Sequence, residues 1–159
     1  MTTFTMSRGL GCALLFLAAV FAQSQEPRFS LTISAERTET KVGSEVKVNT
    51  TLTNLSTQAV TLEFTSPLCN YGVEVRNSAG TLAADTELKK SSDCANQVSG
   101  RDIIVTLQPH QSQKETIPVS ALSDMSQPGK YSAQVTWQTP KELGGMVVKS
   151  NVITVAVTH

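Results

Sequence analysis

The sequence predicts an all-β protein, an antiparallel sandwich of seven or eight short strands. Three observations carry the prediction. The 159-residue chain is rich in Ser, Thr and Val and only 5% aromatic, and β-branched side chains suit a pleated, half-buried surface. Short segments alternate apolar and polar residues with period two, and turn signals separate them. Beyond the N-terminal apolar run, no segment sustains the 3.6-residue apolar stripe of a helix. A chain of this length suits one domain.

The N-terminus stands apart. Arg8 is the only charge in the first 22 residues, and an apolar run, residues 9–21, follows it. A spanning helix takes about 20 apolar residues, so the run is too short. A positive start, a short apolar run and small residues at the end form a secretory signal. Val20 and Ala22 occupy the −3 and −1 positions, which places cleavage after Ala22. The expected organisation is a signal peptide at 1–22, a flexible leader at 23–28 and one sandwich domain at 29–159. The product is secreted or periplasmic, with no membrane span once the signal is removed. Cys12 leaves with the signal, and Cys69 and Cys94 remain. An even number of thiols in an oxidising compartment predicts one disulfide.

The elements follow in order. Residues 29–35 alternate, with a turn at 41–44. Residues 45–54 set Val46, Val48, Thr50 and Leu52 on one face, and a turn follows at 54–57. Residues 59–65 align Val60, Leu62 and Phe64. Residues 66–70 break the pattern, and 71–76 resume it with Tyr71, Val73 and Val75. After a turn at 77–80, residues 81–101 are irregular and polar and hold Cys94. Residues 102–107 and 114–119 are strands on either side of a turn at 109–111. A connector of one helical turn spans 121–125. Pro128-Gly129 opens the best-marked strand, 130–138, whose Tyr131, Ala133, Val135 and Trp137 share a face. A loop at 140–145 leads to a last strand, 146–158, bent near Ser150-Asn151. The expected core is Val46, Val48, Leu52, Val60, Leu62, Phe64, Val73, Val75, Ile104, Val135, Trp137, Val152 and Val155. A one-residue bulge in the last strand would reverse its faces.

An aromatic-bearing late strand, a Gly-preceded Tyr and a long final strand are parts of an immunoglobulin-like sandwich. Tyr131 has two readings: a tyrosine corner bonded to upstream backbone, or a side chain filling the core edge. Asn54-Leu55-Ser56 ends a Val-rich strand. Tyr71-Gly-Val-Glu-Val-Arg-Asn-Ser-Ala-Gly80, Leu107-Gln-Pro-His-Gln-Ser112 and Pro128-Gly-Lys-Tyr131 then lead to Trp137. From Leu31 to Trp137 this layout resembles bacterial immunoglobulin-like modules, among them the BsuPI-like proteinase-inhibitor family. The resemblance implies a sandwich with working loops and, as an alternative activity, proteinase inhibition. The export signal and the Cys-bearing insertion between Gly80 and Asp102 depart from that family.

Chemistry is sparse. The chain has 13 Lys and Arg against 13 Asp and Glu, so no long-range field draws nucleic acid or an anionic membrane. The mature chain's histidines are His110, in a turn, and His159, at the end, so no nucleophile–base set assembles. Glu45, Glu63 and Glu74 fall at polar strand positions, and no cofactor or metal motif occurs. Asn49-Thr50-Thr51 and Asn54-Leu55-Ser56 match the glycosylation acceptor. The expectation is a non-enzyme: an exported binding or structural module whose partner is another protein or a cell-envelope component. Its candidate binding residues are Asn70 and Tyr71, beside Cys69, where loops on a rigid scaffold collect function. The competing reading is that the disulfide tethers the insertion and Tyr71 packs beneath it.

Overall fold

The computed structural model describes residues 28–92, 94 and 103–159. The expected signal peptide and all of the expected leader except Arg28 lie outside the described residues. Along the chain run β1 (Phe29–Ala35), β2 (Glu39–Lys41), β3 (Lys47–Asn54), β4 (Val60–Phe64), α1 (Pro67–Asn70) and β5 (Tyr71–Arg76). There follow α2 (Glu87–Ser91), β6 (Ile103–Leu107), β7 (Ser112–Pro118), α3 (Val119–Leu122), β8 (Gly129–Gln138), β9 (Val147–Lys149) and β10 (Ile153–Thr158).

One sheet is β1-β3-β7, antiparallel throughout. The other is β2-β10-β8-β5, with β9 also on β8, and β4 and β6 pair as a separate ribbon. The chain is therefore an immunoglobulin-like β-sandwich of eight main strands, with β2 and β9 as three-residue additions. The arrangement is antiparallel except at β2, which runs parallel to β10. Period-two alternation buries one face of each main strand: Leu31 and Ile33 on β1, Val48 and Leu52 on β3, Val73 and Val75 on β5, Val135 and Trp137 on β8. Phe29 meets Trp137 edge-on across the two sheets, with ring centroids 5.1 Å apart at 70°. The Tyr131 hydroxyl donates to the Gln127 carbonyl at 2.8 Å, so Tyr131 is a tyrosine corner.

Three core expectations are corrected. Ile104 is 72% exposed: in the β4–β6 ribbon it lies opposite Glu63, on the outer face, while Val105 pairs with Leu62 on the inner one. Val60 is half-buried at the ribbon's end. Val152 is 59% exposed, because the last strand is broken by a bulge. The pairs Thr136↔Lys149 and Ala133↔Ile153 set three steps of β8 against four steps of its partner. The extra residue turns Val152 outward and leaves Val155 inside. Polar side chains hold the break: Ser150 Oγ accepts from Val135 N at 2.9 Å, and the Asn151 amide bonds both the N–H and the C=O of Ile33.

Asn54, read as a turn residue, is fully buried. Its Nδ2 donates to Gln58 O at 2.8 Å and Leu107 O at 3.0 Å, and its Oδ1 accepts from the N–H and hydroxyl of Ser56. Of the two glycosylation matches, only Asn49 is exposed.

Candidate functional site

Cys69 and Cys94 form the expected disulfide, closing a separation of 25 residues. In the chain-entropy description a loop of this size contributes about 3.5 kcal/mol. The bond joins α1 to the far end of the excursion that leaves β5. The described part of that excursion, up to residue 92, is held by more than its staple. Asn77 Oδ1 accepts two turn N–H groups, and Ala83 N donates to Val75 O, so the chain first folds back on β5. It then clips to the connector after β7: Asp85 bridges Ser123, Thr86 N donates to Leu122 O, and Asp124 N donates to Ala84 O. The Thr86 hydroxyl donates to Ala121 O at 2.5 Å and accepts from Lys89 N, capping α2. A Thr cap, Glu87 in the first turn and Lys89 and Lys90 in the last agree with the helix dipole.

The clipped excursion is one wall of a groove of about 700 Å³. The facing wall is the β2–β3 turn, Val42 to Glu45, and the connector with Ala121, Met125 and Ser126 completes it. Val42, Ala84, Ala121 and Met125 supply its apolar part. Around it stand the carboxylates of Glu45, Asp85, Glu87 and Asp124, against one lining ammonium, Lys90. Three of these acids already have a lysine: Glu45–Lys47 at 3.1 Å, Asp85–Lys89 at 2.7 Å and Glu87–Lys90 at 2.7 Å. Such pairs at the surface are individually weak. Asp124 has no lysine at ion-pair distance among the described residues. The Ser126 hydroxyl and N–H hold its carboxyl below the usual carboxylate range.

The two residues expected to bind lie beneath the staple instead of in the groove. Asn70 ends α1 half-buried, with Oδ1 accepting from Thr65 N at 3.0 Å. Tyr71 is 4% exposed and belongs to the core. Its hydroxyl points at Glu115 of β7, whose neighbour across the β3–β7 pairing is fully buried Thr50. Burial pushes the Tyr71 hydroxyl and the Glu115 carboxyl above their ordinary values. The groove itself was missed from sequence, since its walls come from three segments far apart in the chain. The signal that could have found it is Thr86-Glu87-Leu88-Lys89-Lys90, a capped helical turn inside a stretch read as irregular.

A disulfide-stapled immunoglobulin-like module is the class that this fold and site define. No family model matches the chain. No curated protein matches it either. Among solved structures it is similar to the CARDB domain of PF1109 from Pyrococcus furiosus, at 16% identity and a TM-score of 0.43, over 82% of this chain and 94% of that one. It is also similar to part of a β-glucosidase from Listeria innocua, at 19% identity and a TM-score of 0.44, over 82% of this chain and 16% of that one. A β-glucosidase from Erythrobacter marinus matches at 11% identity and a TM-score of 0.43, over 15% of its length.

Proposed function

We propose that the chain is an exported, non-catalytic binding module whose groove docks a segment of another protein of the cell exterior. The observation that carries this reading is the groove's wall: an excursion clipped to the connector and stapled by Cys69–Cys94. A pre-ordered wall loses little conformational entropy on binding. The groove's size falls in the range of about 300–1,000 Å³ typical of ligand sites. Its excess of carboxylates around an apolar floor fits a segment with one apolar anchor flanked by Lys or Arg. No cofactor enters this reading. The disulfide is compatible with an extracellular location, and among the described residues no helix is long and apolar enough to cross a membrane. The reading includes cleavage after Ala22, so the intact mass of the exported protein should correspond to a chain starting at Gln23. Proteinase inhibition is not carried forward. Tyr71, the aromatic it would present beside the disulfide, is buried.

The test is fluorescence polarisation with a peptide panel of equal length: Leu flanked by Lys, Leu flanked by Glu, and Ser flanked by Lys. The first should bind, and the other two should bind at least tenfold more weakly. Ala121→Trp, which fills the groove, should remove binding while leaving the unfolding transition in place. Equal binding of all three peptides, or full binding by Ala121→Trp, would contradict the assignment.

A further inference from the structure

The groove wall at α2 is held differently from the rest of the excursion. Upstream, the N–H groups of Ala83, Thr86 and Asp124 close backbone bonds that tie the chain to β5 and to the connector. α2 itself buries no residue, and Leu88, its one large apolar side chain, is 47% exposed. Its own bonds stay local, as from Lys90 N to Thr86 O and from Ser92 N to Lys89 O. Among the described residues, one side-chain bond leaves α2 for a strand, Lys89 Nζ to Val73 O at 3.4 Å. A helix of five residues is not stable alone. What fixes α2 is therefore a Thr86 cap at its start and, beyond its end, Cys94 bonded to Cys69. The Cys69 anchor is firm: Asn70 Oδ1 fastens the end of α1 to Thr65 N, and Leu68 packs against the core.

We infer that Cys69–Cys94 is a redox switch for the groove: oxidised, it holds α2 as a wall, and reduced, it lets α2 unwind and weakens docking. The inference rests on the docking reading, because Glu87 and Lys90 of α2 line the groove. Cys94 is exposed and Cys69 half-buried, so a reductant meets Cys94 first, and exposed disulfides are the labile ones. The reductant class is a dithiol. One of its thiolates attacks Cys94 Sγ, the S–S bond breaks, and Cys69 leaves as a thiolate that takes up a proton. The second thiolate of the reductant then displaces Cys94, which is protonated in turn. The dithiol ends as a disulfide, and its two electrons and two protons end on the two cysteines. The clips through Ala83, Thr86 and Asp124 contain no sulfur and survive, so the change is confined to α2. Docking must then order Glu87 and Lys90 afresh, and immobilising such long side chains costs affinity.

The experiment compares the oxidised protein, the same protein reduced with dithiothreitol under nitrogen, and a Cys69→Ser/Cys94→Ser double variant. Fluorescence polarisation reads the affinity for the Lys-flanked Leu peptide, and amide hydrogen exchange reads the backbone. Reduction should weaken binding about tenfold. It should also speed exchange at Lys90 and Ser92 while Ala83, Thr86 and Asp124 keep their protection. The double variant should match the reduced protein in both readouts, and reoxidation of the unaltered protein should restore both. Equal affinity in the two redox states, or unchanged exchange at Lys90 and Ser92, overturns the switch and leaves the docking reading standing. No binding by the oxidised protein refutes the docking reading, and the switch with it. Loss of protection throughout the sheets on reduction also overturns the switch, since the staple would then be holding the whole fold.

Discussion

Asn54 offers the sharpest test of the packing, because a turn-type residue is used there as an interior strut. Its amide bonds Gln58 O and Leu107 O, and its carbonyl takes both hydrogens of Ser56. His110 N and Gln111 O bond its backbone as well, so Asn54 ties the β3–β4 turn to the β6–β7 turn. In Asn54→Ala the backbone bonds survive and the side-chain bonds do not. Leu107 O and Ser56 N lose partners in a region where Asn54 and Leu107 are no more than 1% exposed. At about 1–3 kcal/mol for each orphaned group, with water reaching the Ser56 end, the expected loss is about 3 kcal/mol. Asn54→Asp should be worse at neutral pH, since it turns a carboxylate toward two carbonyl oxygens. Acidification should narrow the gap as the carboxyl gains a proton and becomes a donor. Urea unfolding followed by the fluorescence of Trp137, the only tryptophan, measures all three proteins. A loss below about 1 kcal/mol for Asn54→Ala, within the worth of an ordinary single bond, would refute the strut.

Three further outcomes are expected. Trp137→Ala removes a 6%-exposed indole stacked edge-on with Phe29 and should cost about 3–5 kcal/mol in the same assay. Gly72→Ala should destabilise by about 1–3 kcal/mol, because its Cβ would meet Thr136 Oγ1 at 2.5 Å; adding Thr136→Ala should recover most of that loss. Burial raises the Glu115 carboxyl above its unfolded value. The neutral form is therefore favoured in the fold, and Glu115 contributes stability at low pH that is lost as pH rises through its folded value. Glu115→Gln should flatten this loss in urea titrations run upward from the ordinary carboxylate range, and an unchanged pH dependence would contradict the burial.

The main strands were legible because each has one wet face. Val46 to Leu52, Leu62 to Phe64 and Tyr131 to Trp137 alternate cleanly, and burial follows that alternation. What failed to read depends on pairing across the chain. β2 is Glu-Thr-Lys, with no apolar signal, and exists because β10 offers it an edge. Val152 was misfaced by a bulge that only the partner strand reveals. Ile104 sits in a run of three apolar residues, Ile103 to Val105, where period two has nothing to alternate against. The staple was legible from the cysteine count and the compartment expected of the chain. Its consequence was not: α2 is five residues long, too short for a periodic stripe, and the groove needs the excursion, the β2–β3 turn and the connector together. Glu115 lies in Ser112–Glu115, an all-polar run whose inward face cannot be picked out by hydropathy.

Docking in the proposed groove beside the stapled excursion can be mapped residue by residue. The most direct measurement is backbone NMR of the oxidised protein titrated with the Lys-flanked Leu peptide. Docking there should give saturable shifts grouped at Val42–Glu45, Ala84–Lys90 and Ser120–Ser126. Shifts grouped elsewhere, as around the Leu55–Thr61 surface beside Arg28, or no saturable shift at all, would contradict it.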